Sequence, residues 1–243
     1  MTYQTYNQDC RLGLKNIADS SVDLIFTDPP YGINGAQLDQ HYNRDESRVI
    51  DGYIDIDREN YADFCQEWIT ESARILKPTG SMYIVSGYSN LHHILNALHS
   101  SGMREINHLI AQYSFGVYTR NKWVSSHYHI LYWGRSRRTY FNGAARFQDT
   151  RASYQDRLSV QTLTRKYQTG KIKNKNQLPV KFIEKYIEYS TQPGDLVVDP
   201  FAGSFSTGHA CHRLGRNFIG FEANLLAYQQ FSHAPKSSPE RNS

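Results

Sequence analysis

"LVVDPFAGSFSTG", residues Leu196–Gly208, is the stretch from which the fold is read. Apolar residues run into an acid, a proline and a loop of small residues, and a helical pattern follows that Gly215 closes. That order predicts a buried strand, a tight turn and a helix start. "NFIGFE" reads as the next strand, and it ends on Glu222, 23 residues after Asp199. In dinucleotide-type α/β folds a carboxylate about 20 residues beyond the turn binds the two ribose hydroxyls. Ala202, Gly203 and Ser204 are small enough for a ligand to approach the backbone.

The glycines match neither G-x-G-x-x-G nor G-x-x-x-x-G-K-[ST], the loops that cradle phosphates. A nucleoside with a non-phosphate tail fits better than a dinucleotide. S-adenosylmethionine is the common ligand of that kind.

Outward from this unit, predicted strands alternate with predicted helices, which argues for a mostly parallel sheet with helices on both faces. Residues 22–27 form a short strand of the buried type. Residues 32–58 are polar and acid-rich and read as a long loop. "NYADFCQEWITESARILKP" reads as a helix capped by Asn60, with Phe64, Trp68 and Ile75 near one face. "GSMYIVSG" is a strand, and "SNLHHILNALHSSG" a helix ended by Gly102. "REINHLIAQYSF" and "HYHILYWG" read as strands that pair antiparallel at a sheet edge. "LPVKFIEKYIEYS" is helical with Pro179 in its first turn, and "ANLLAYQQF" is the last helix.

The 243 residues, 39% of them apolar, suffice for one sizeable α/β domain. No run is long and apolar enough to span a membrane, and the first residues have no apolar signal core. Cys10, Cys65 and Cys211 are odd in number and far apart, which argues against a disulfide framework and for a reducing cytoplasm. No Cys/His spacing resembles a zinc site, and no metal is expected. His127 and His129 alternate on a strand.

Charge is uneven. Residues 135–175 hold eleven Lys/Arg and two acids, a net of +9; the remainder holds 16 basic and 21 acidic residues, a net of −5. A solvated face is one reading. A phosphate-binding surface is the sharper one, because each neutralised phosphate releases counterions. Tyr140, Phe141, Phe147, Tyr154 and Tyr167 interleave with the basic residues, as core or as base contacts.

"FTDPPYGI", residues 26–33, follows the 22–27 strand. Two prolines fix φ and remove two N–H donors, so a carboxylate and backbone carbonyls stand as rigid acceptors beside an aromatic ring. A stiff turn with a surface ring is the plainer alternative.

Read together, Asp28-Pro29-Pro30-Tyr31 and the run from Asp199 to Thr207 resemble the two motifs of the DNA amino-methyltransferases, which methylate exocyclic amines of adenine or cytosine. The catalytic motif comes first and the cofactor motif last, similar to the β group of that family. The resemblance covers the chain to about residue 230. It implies a Rossmann-like, circularly permuted methyltransferase sheet and S-adenosylmethionine as cofactor. The expected parts are a catalytic half (1–134), a basic target-recognition segment (135–175), a cofactor-binding half (176–232) and a loose tail (233–243). Asp before Pro-Pro favours adenine N6 within the family, with cytosine N4 the alternative. A third reading is a non-catalytic DNA-binding relative with an altered cofactor pocket.

The catalytic residues so implied are Asp28, Pro29, Pro30 and Tyr31. Cofactor contacts are implied at Asp9, Asp28, Pro179, Asp199, Phe201, Ala202, Gly203, Ser204, Thr207, Glu222 and Asn224. Several have plainer alternatives: Asp9 as a turn residue, Phe201 as core, Ser204 and Thr207 as helix caps. DNA contacts are expected at Arg135, Arg137, Arg138, Arg146, Arg151, Lys166, Lys171 and Lys173. Of Tyr113, Phe115 and Tyr118, which could face the base, at least two are expected in the core. Double-stranded DNA is the expected partner, and the resemblance also admits a homodimer and a cognate restriction endonuclease. The chain departs from the family at Phe205, where glycine is usual, and at Ser206 and His129. Phenylalanine does not adopt positive φ cheaply. Either that position is helical, or the pocket is altered.

Direct transfer needs no cysteine nucleophile, so the three cysteines are expected to pack as small apolar groups.

Overall fold

The computed structural model describes residues 1–33, 56–114, 118, 120–163 and 177–234. In chain order the elements are β1 (Tyr3–Tyr6), α1 (Cys10–Gly13), β2 (Val22–Thr27), α2 (Tyr61–Ile75), β3 (Leu76–Ser86), α3 (Leu91–Ser100), β4 (Arg104–Gln112) and β5 (His127–Gly134). They continue with α4 (Thr150–Asp156), β6 (Val160–Thr162), α5 (Val180–Ser190), β7 (Leu196–Asp199), α6 (Ser206–Leu214), β8 (Asn217–Phe221) and α7 (Leu225–Phe231).

Among the described residues, eight strands form one sheet in the order β1-β8-β7-β2-β3-β5-β4-β6. β5 runs antiparallel to both β3 and β4, and every other pairing is parallel. The antiparallel strand therefore lies two places in from the rim, not at it, because β6 pairs with β4 and covers that edge. β6 comes from the basic segment, and β1 pairs with β8 at the other edge. Both were missed in the sequence. β1 is short and polar, and β6 is only three residues long.

Strand alternation sends side chains to two cores. Val22, Ile25, Met82, Ile84 and Trp133 meet Phe64, Trp68 and Ile69 of α2 and Ile94 and Leu98 of α3. Leu24, Phe26, Tyr83, Val85 and Val197 meet Ile183, Tyr186 and Ile187 of α5 and Ala210 and Cys211 of α6. Cys10, Cys65 and Cys211 are buried in these cores with free thiols, as expected. The Asn60 side chain makes no capping hydrogen bond; it ends a 3-10 turn ahead of α2. Pro179 sits at the cap position just before α5 rather than inside its first turn.

From β2 the chain crosses by α2 to β3 on one side; from β7 it crosses by α6 to β8 on the other. Crossovers of one hand in opposite directions place their helices on opposite faces. The carboxyl ends of β2 and β7 thus flank a topological switch point, where open α/β sheets bind ligands.

Candidate functional site

β2 ends at Thr27, so Asp28 opens the loop at the switch point. Tyr31 Oη donates to Asp28 Oδ1 at 2.7 Å. The loop is pinned from outside. Tyr61 Oη donates to the Pro30 carbonyl at 2.8 Å, and Asn90 Nδ2 donates to the carbonyls of Tyr31 (2.9 Å) and Gly32 (2.8 Å). Gly32 has φ +63°, and a Cβ there would stand 2.4 Å from the Tyr61 ring. Tyr61 and Asn90 were missed in the sequence. Nothing in an apolar helical stripe marks Tyr61 as a loop anchor; the Ser-Asn turn before α3 is a faint signal for Asn90.

The second loop leaves β7. Asp199 Oδ1 accepts from Thr27 Oγ1 at 2.7 Å and from Phe201 N–H at 3.1 Å. Glu222 bridges the far side: its Oε2 accepts from Gly203 N–H at 2.8 Å and its Oε1 from Asn224 N–H at 2.7 Å. Gly203 and Phe205 both have left-handed backbone, φ +51° and +58°. Phe205 is therefore not helical. Its ring is fully buried in the core, edge-on to Phe218 and Tyr228. That burial offsets the strain of an αL phenylalanine.

Several expected contacts carry structural duties as well. Asp9 caps α1 and is clamped by Arg11 at 2.8 Å; although burial raises its pKa, Arg11 outweighs that and lowers it. The Asn224 side chain caps α7. The Pro179 carbonyl accepts from Phe182 N–H. Phe201 is half-buried against Phe64 and Trp68. Ser204 and Thr207 are buried; Ser204 Oγ lies 3.2 Å from Ser206 Oγ, which accepts from Gln177 Nε2 at 2.7 Å.

Three carboxyls converge at this rim. Burial pushes Asp28 up to about 7, helped by Asp199 and opposed by the Tyr31 hydroxyl. Burial pushes Asp199 up to about 6, against hydrogen bonds from Thr207, Thr27 and Phe201. Glu222 is also raised by burial, against the Asn224 and Gly203 amides. Among the described residues none of the three is ion-paired to a Lys or Arg. Such a crevice repels polyphosphate and favours a cationic ligand.

The described basic residues of the 135–175 segment lie on two parts of the molecule. Arg135 N–H donates to the Gly80 carbonyl, and Tyr140 N–H to that of Thr79, near the start of β3. Arg135, Arg137 and Arg138 therefore lie about 20 Å from the carboxyl rim, at ~3.3 Å per strand residue. The antiparallel direction of β5 puts them there. Arg146 is held by Asp156 and Glu188 and ties α4 to α5. Arg151 is exposed on α4. Lys166, Lys171 and Lys173 lie outside the described residues, as do Phe115, most of the 32–58 loop and most of the tail. The rim instead carries the β4–β5 connection, with Arg120, Lys122 and two exposed rings, Tyr118 and Trp123. Tyr118 is thus not core, and Tyr113 is half-buried against Tyr128.

His108 Nε2 lies 2.9 Å from His129 Nδ1, with His127 beside them. Burial, His108 and His127 push His129 down to about 4. Among the described residues no three or more His, Cys, Asp or Glu side chains are grouped to hold a metal, and no helix is long and apolar enough to cross a membrane.

Sheet order, switch point and rim loops define a Rossmann-like fold of the methyltransferase type. Residues 22–232 match the model of the N6/N4 methyltransferase family, described as DNA methylase, and the chain belongs to that family. It is 30% identical over 225 residues to the type II methyltransferase M.HinfI of Haemophilus influenzae, covering 88% of this chain and 63% of the relative. It is 28% identical over 241 residues to M.BamHI of Bacillus amyloliquefaciens, covering 89% and 53%. The chain thus spans between half and two thirds of the length of these curated relatives. Among solved structures, the M1.HpyAVI–SAM complex superposes with TM-score 0.66 at 25% identity, over 95% of this chain and 97% of that one. The cytosine-N4-specific PvuII DNA methyltransferase superposes with TM-score 0.73 at 17% identity, over 98% and 88%, a likeness of fold.

Proposed function

We propose that this chain transfers a methyl group from S-adenosylmethionine to the exocyclic N6 amine of adenine in double-stranded DNA. The observation that carries the reading is that, among the described residues, Asp28 receives a single hydrogen bond at a switch-point crevice lined by carboxylates without an ion-pair partner. The crevice fits the cofactor. It has no phosphate cradle, its carboxylates suit a sulfonium and an ammonium, and Gly203 presents open backbone beside Glu222. S-adenosylmethionine supplies an electrophilic methyl group.

An exocyclic amine is a poor nucleophile while its lone pair is delocalised into the ring. Acceptors that hold its protons out of plane favour pyramidal nitrogen and stabilise the positive charge that develops on it. Asp28 is the anionic acceptor. The second acceptor is a carbonyl of the Pro29-Pro30 stretch; Tyr61 takes one of the two lone pairs of the Pro30 carbonyl, which favours that of Pro29. The Tyr31 ring is the stacking platform, which contributes about 1–3 kcal/mol per base and offsets part of the cost of extruding the base, a few kcal/mol. Glu222 binds the ribose, and Asp9, Phe201 and Asn224 flank the adenine. Asp199 orders the loop around the amino-acid tail, with Ser204 and Thr207 beside it.

Single-molecule sequencing of DNA from cells expressing the chain tests the reading, with Asp28→Ala as control. Methyladenine at one recurring motif, absent in the control, supports it. Methylcytosine keeps the mechanism and moves the base to N4 chemistry. An identical signal from the Asp28→Ala variant would refute the assigned role.

A further inference from the structure

The connection between β4 and β5 leaves the sheet on the same rim as the catalytic loop. Ser86, the last residue of β3, pairs with His129, and Gly87 beside it approaches the Tyr31 ring. Tyr113 N–H donates to the Ser126 carbonyl at 2.8 Å, so the hairpin ladder continues past that level before the chain turns. Residues 113–126 contain Arg120 and Lys122 and no acid. Trp123 is 95% exposed and Tyr118 78%. The other two tryptophans, Trp68 and Trp133, are 0% and 1% exposed. A bare indole flanked by cations is left with its large apolar surface in water. The hairpin that carries it leaves the rim that holds those acceptors, and not a remote face, which singles out the same ligand that those acceptors take.

We infer that this hairpin is a DNA-contact surface, with Trp123 stacking on a base and Arg120 and Lys122 set against phosphates. The inference rests on the DNA methyltransferase reading and deepens it. It moves the DNA interface from Arg135, Arg137 and Arg138, at the amino ends of the strands, to the carboxyl rim.

Because only Trp123 of the three tryptophans is open to solvent, it alone dominates quenching by acrylamide. The experiment follows that quenching, and fluorescence anisotropy of labelled DNA, as a short mixed-sequence duplex is added, with and without one unpaired base. Saturating DNA should remove the acrylamide-accessible emission, most strongly with the unpaired base. Trp123→Ala should weaken binding about 5- to 100-fold and Trp123→Phe much less, as expected for stacking. Replacing Arg120 and Lys122 by Ala should lower the slope of log affinity against log salt by about two, and replacing Arg137 and Arg138 should leave it unchanged. DNA binding with Trp123 still accessible would overturn the proposal, as would a slope that responds to Arg137 and Arg138 instead. So would accessibility lost on raising protein concentration alone, which marks self-association. Where wild type binds no DNA and leaves no Asp28-dependent mark in cells, the parent reading fails and takes this one with it; where the mark is present, only the hairpin assignment is at stake.

Discussion

Two neighbouring strands run into Asp-Pro, and the two loops use the same pair of residues differently. Asp199-Pro200 closes β7, and its carboxylate is spent inside the protein on Thr27 and on the Phe201 amide. Asp28-Pro29 follows β2, and among the described residues its carboxylate receives one hydrogen bond, from the Tyr31 hydroxyl. A satisfied acid holds a loop in shape; an acid with an oxygen to spare is available to a substrate. The means of rigidity differ too. The loop after β2 is stiffened by two prolines and anchored from α2 and the turn before α3. The loop after β7 is held by Glu222 and by two left-handed residues, one of them anchored by a buried ring.

The comparison breaks first at Asp28. Asp28→Ala should lower the methyl-transfer rate at least ~10³-fold while cofactor affinity stays within a few-fold, since a preorganised acceptor acts in the transition state. Calorimetry that showed affinity falling in parallel would merge the two loops into one function. The raised pKa adds a pH signature. Transfer needs the ionised carboxylate, so the rate should fall about tenfold per pH unit below a midpoint near 7, lower when a cationic cofactor is bound. For stability the sign is opposite. The folded-state value lies above the ordinary carboxylate value of 3.8, so ionisation costs stability progressively up to about pH 7 and fully above it. Asp28→Asn should therefore raise Tm by about 2–6 °C at pH 8 and leave it unchanged at pH 3. Equal shifts at both pH values would remove the buried charge as the cause.

Glu222→Ala should do the reverse of Asp28→Ala. Cofactor affinity should drop about 10- to 100-fold, because the carboxylate tethers Gly203 and Asn224 as well as facing the ligand. The rate at saturating cofactor should change only a few-fold. A large loss in that saturated rate would place Glu222 in the chemistry.

Phe205 sharpens the contrast between proline and αL rigidity. Losing the ring costs about 3–5 kcal/mol, and relief of an αL side chain returns about 1–2 kcal/mol only in glycine. Urea denaturation should rank wild type above Phe205→Gly, and Phe205→Gly above Phe205→Ala. An alanine variant more stable than the glycine one would mean that the backbone is not left-handed there. The smallest effect is expected from Tyr61→Phe, which frees the Pro30 carbonyl. It should cost about 1 kcal/mol of stability and a few-fold in rate.

Much of this was legible in the chain. Val22–Thr27 and Leu196–Asp199 announce themselves as strands because both faces of a central parallel strand are apolar. The acids at their ends, the small residues of the cofactor loop and Glu222 follow at fixed sequence distances from those strands. β1 and β6 were not legible, because their pairing partners lie more than two hundred and about fifty residues away, at Phe218 and Ile110. The charge count located a basic segment in sequence and could not locate it in space. Residues 135–138 follow a strand that runs against its neighbour, and strand direction is decided by pairing, not by composition.

Local chemistry therefore determined by itself which residues are acceptors, turns and buried strands, since those depend on side chains and near neighbours. Only the tertiary structure decided which carboxylate is spent and which keeps an oxygen to spare among the described residues, which rim the two loops share, and that Tyr61, Asn90 and the hairpin of Trp123 stand there. Those depend on contacts between segments far apart in the chain, and no local pattern encodes a contact whose other half lies elsewhere.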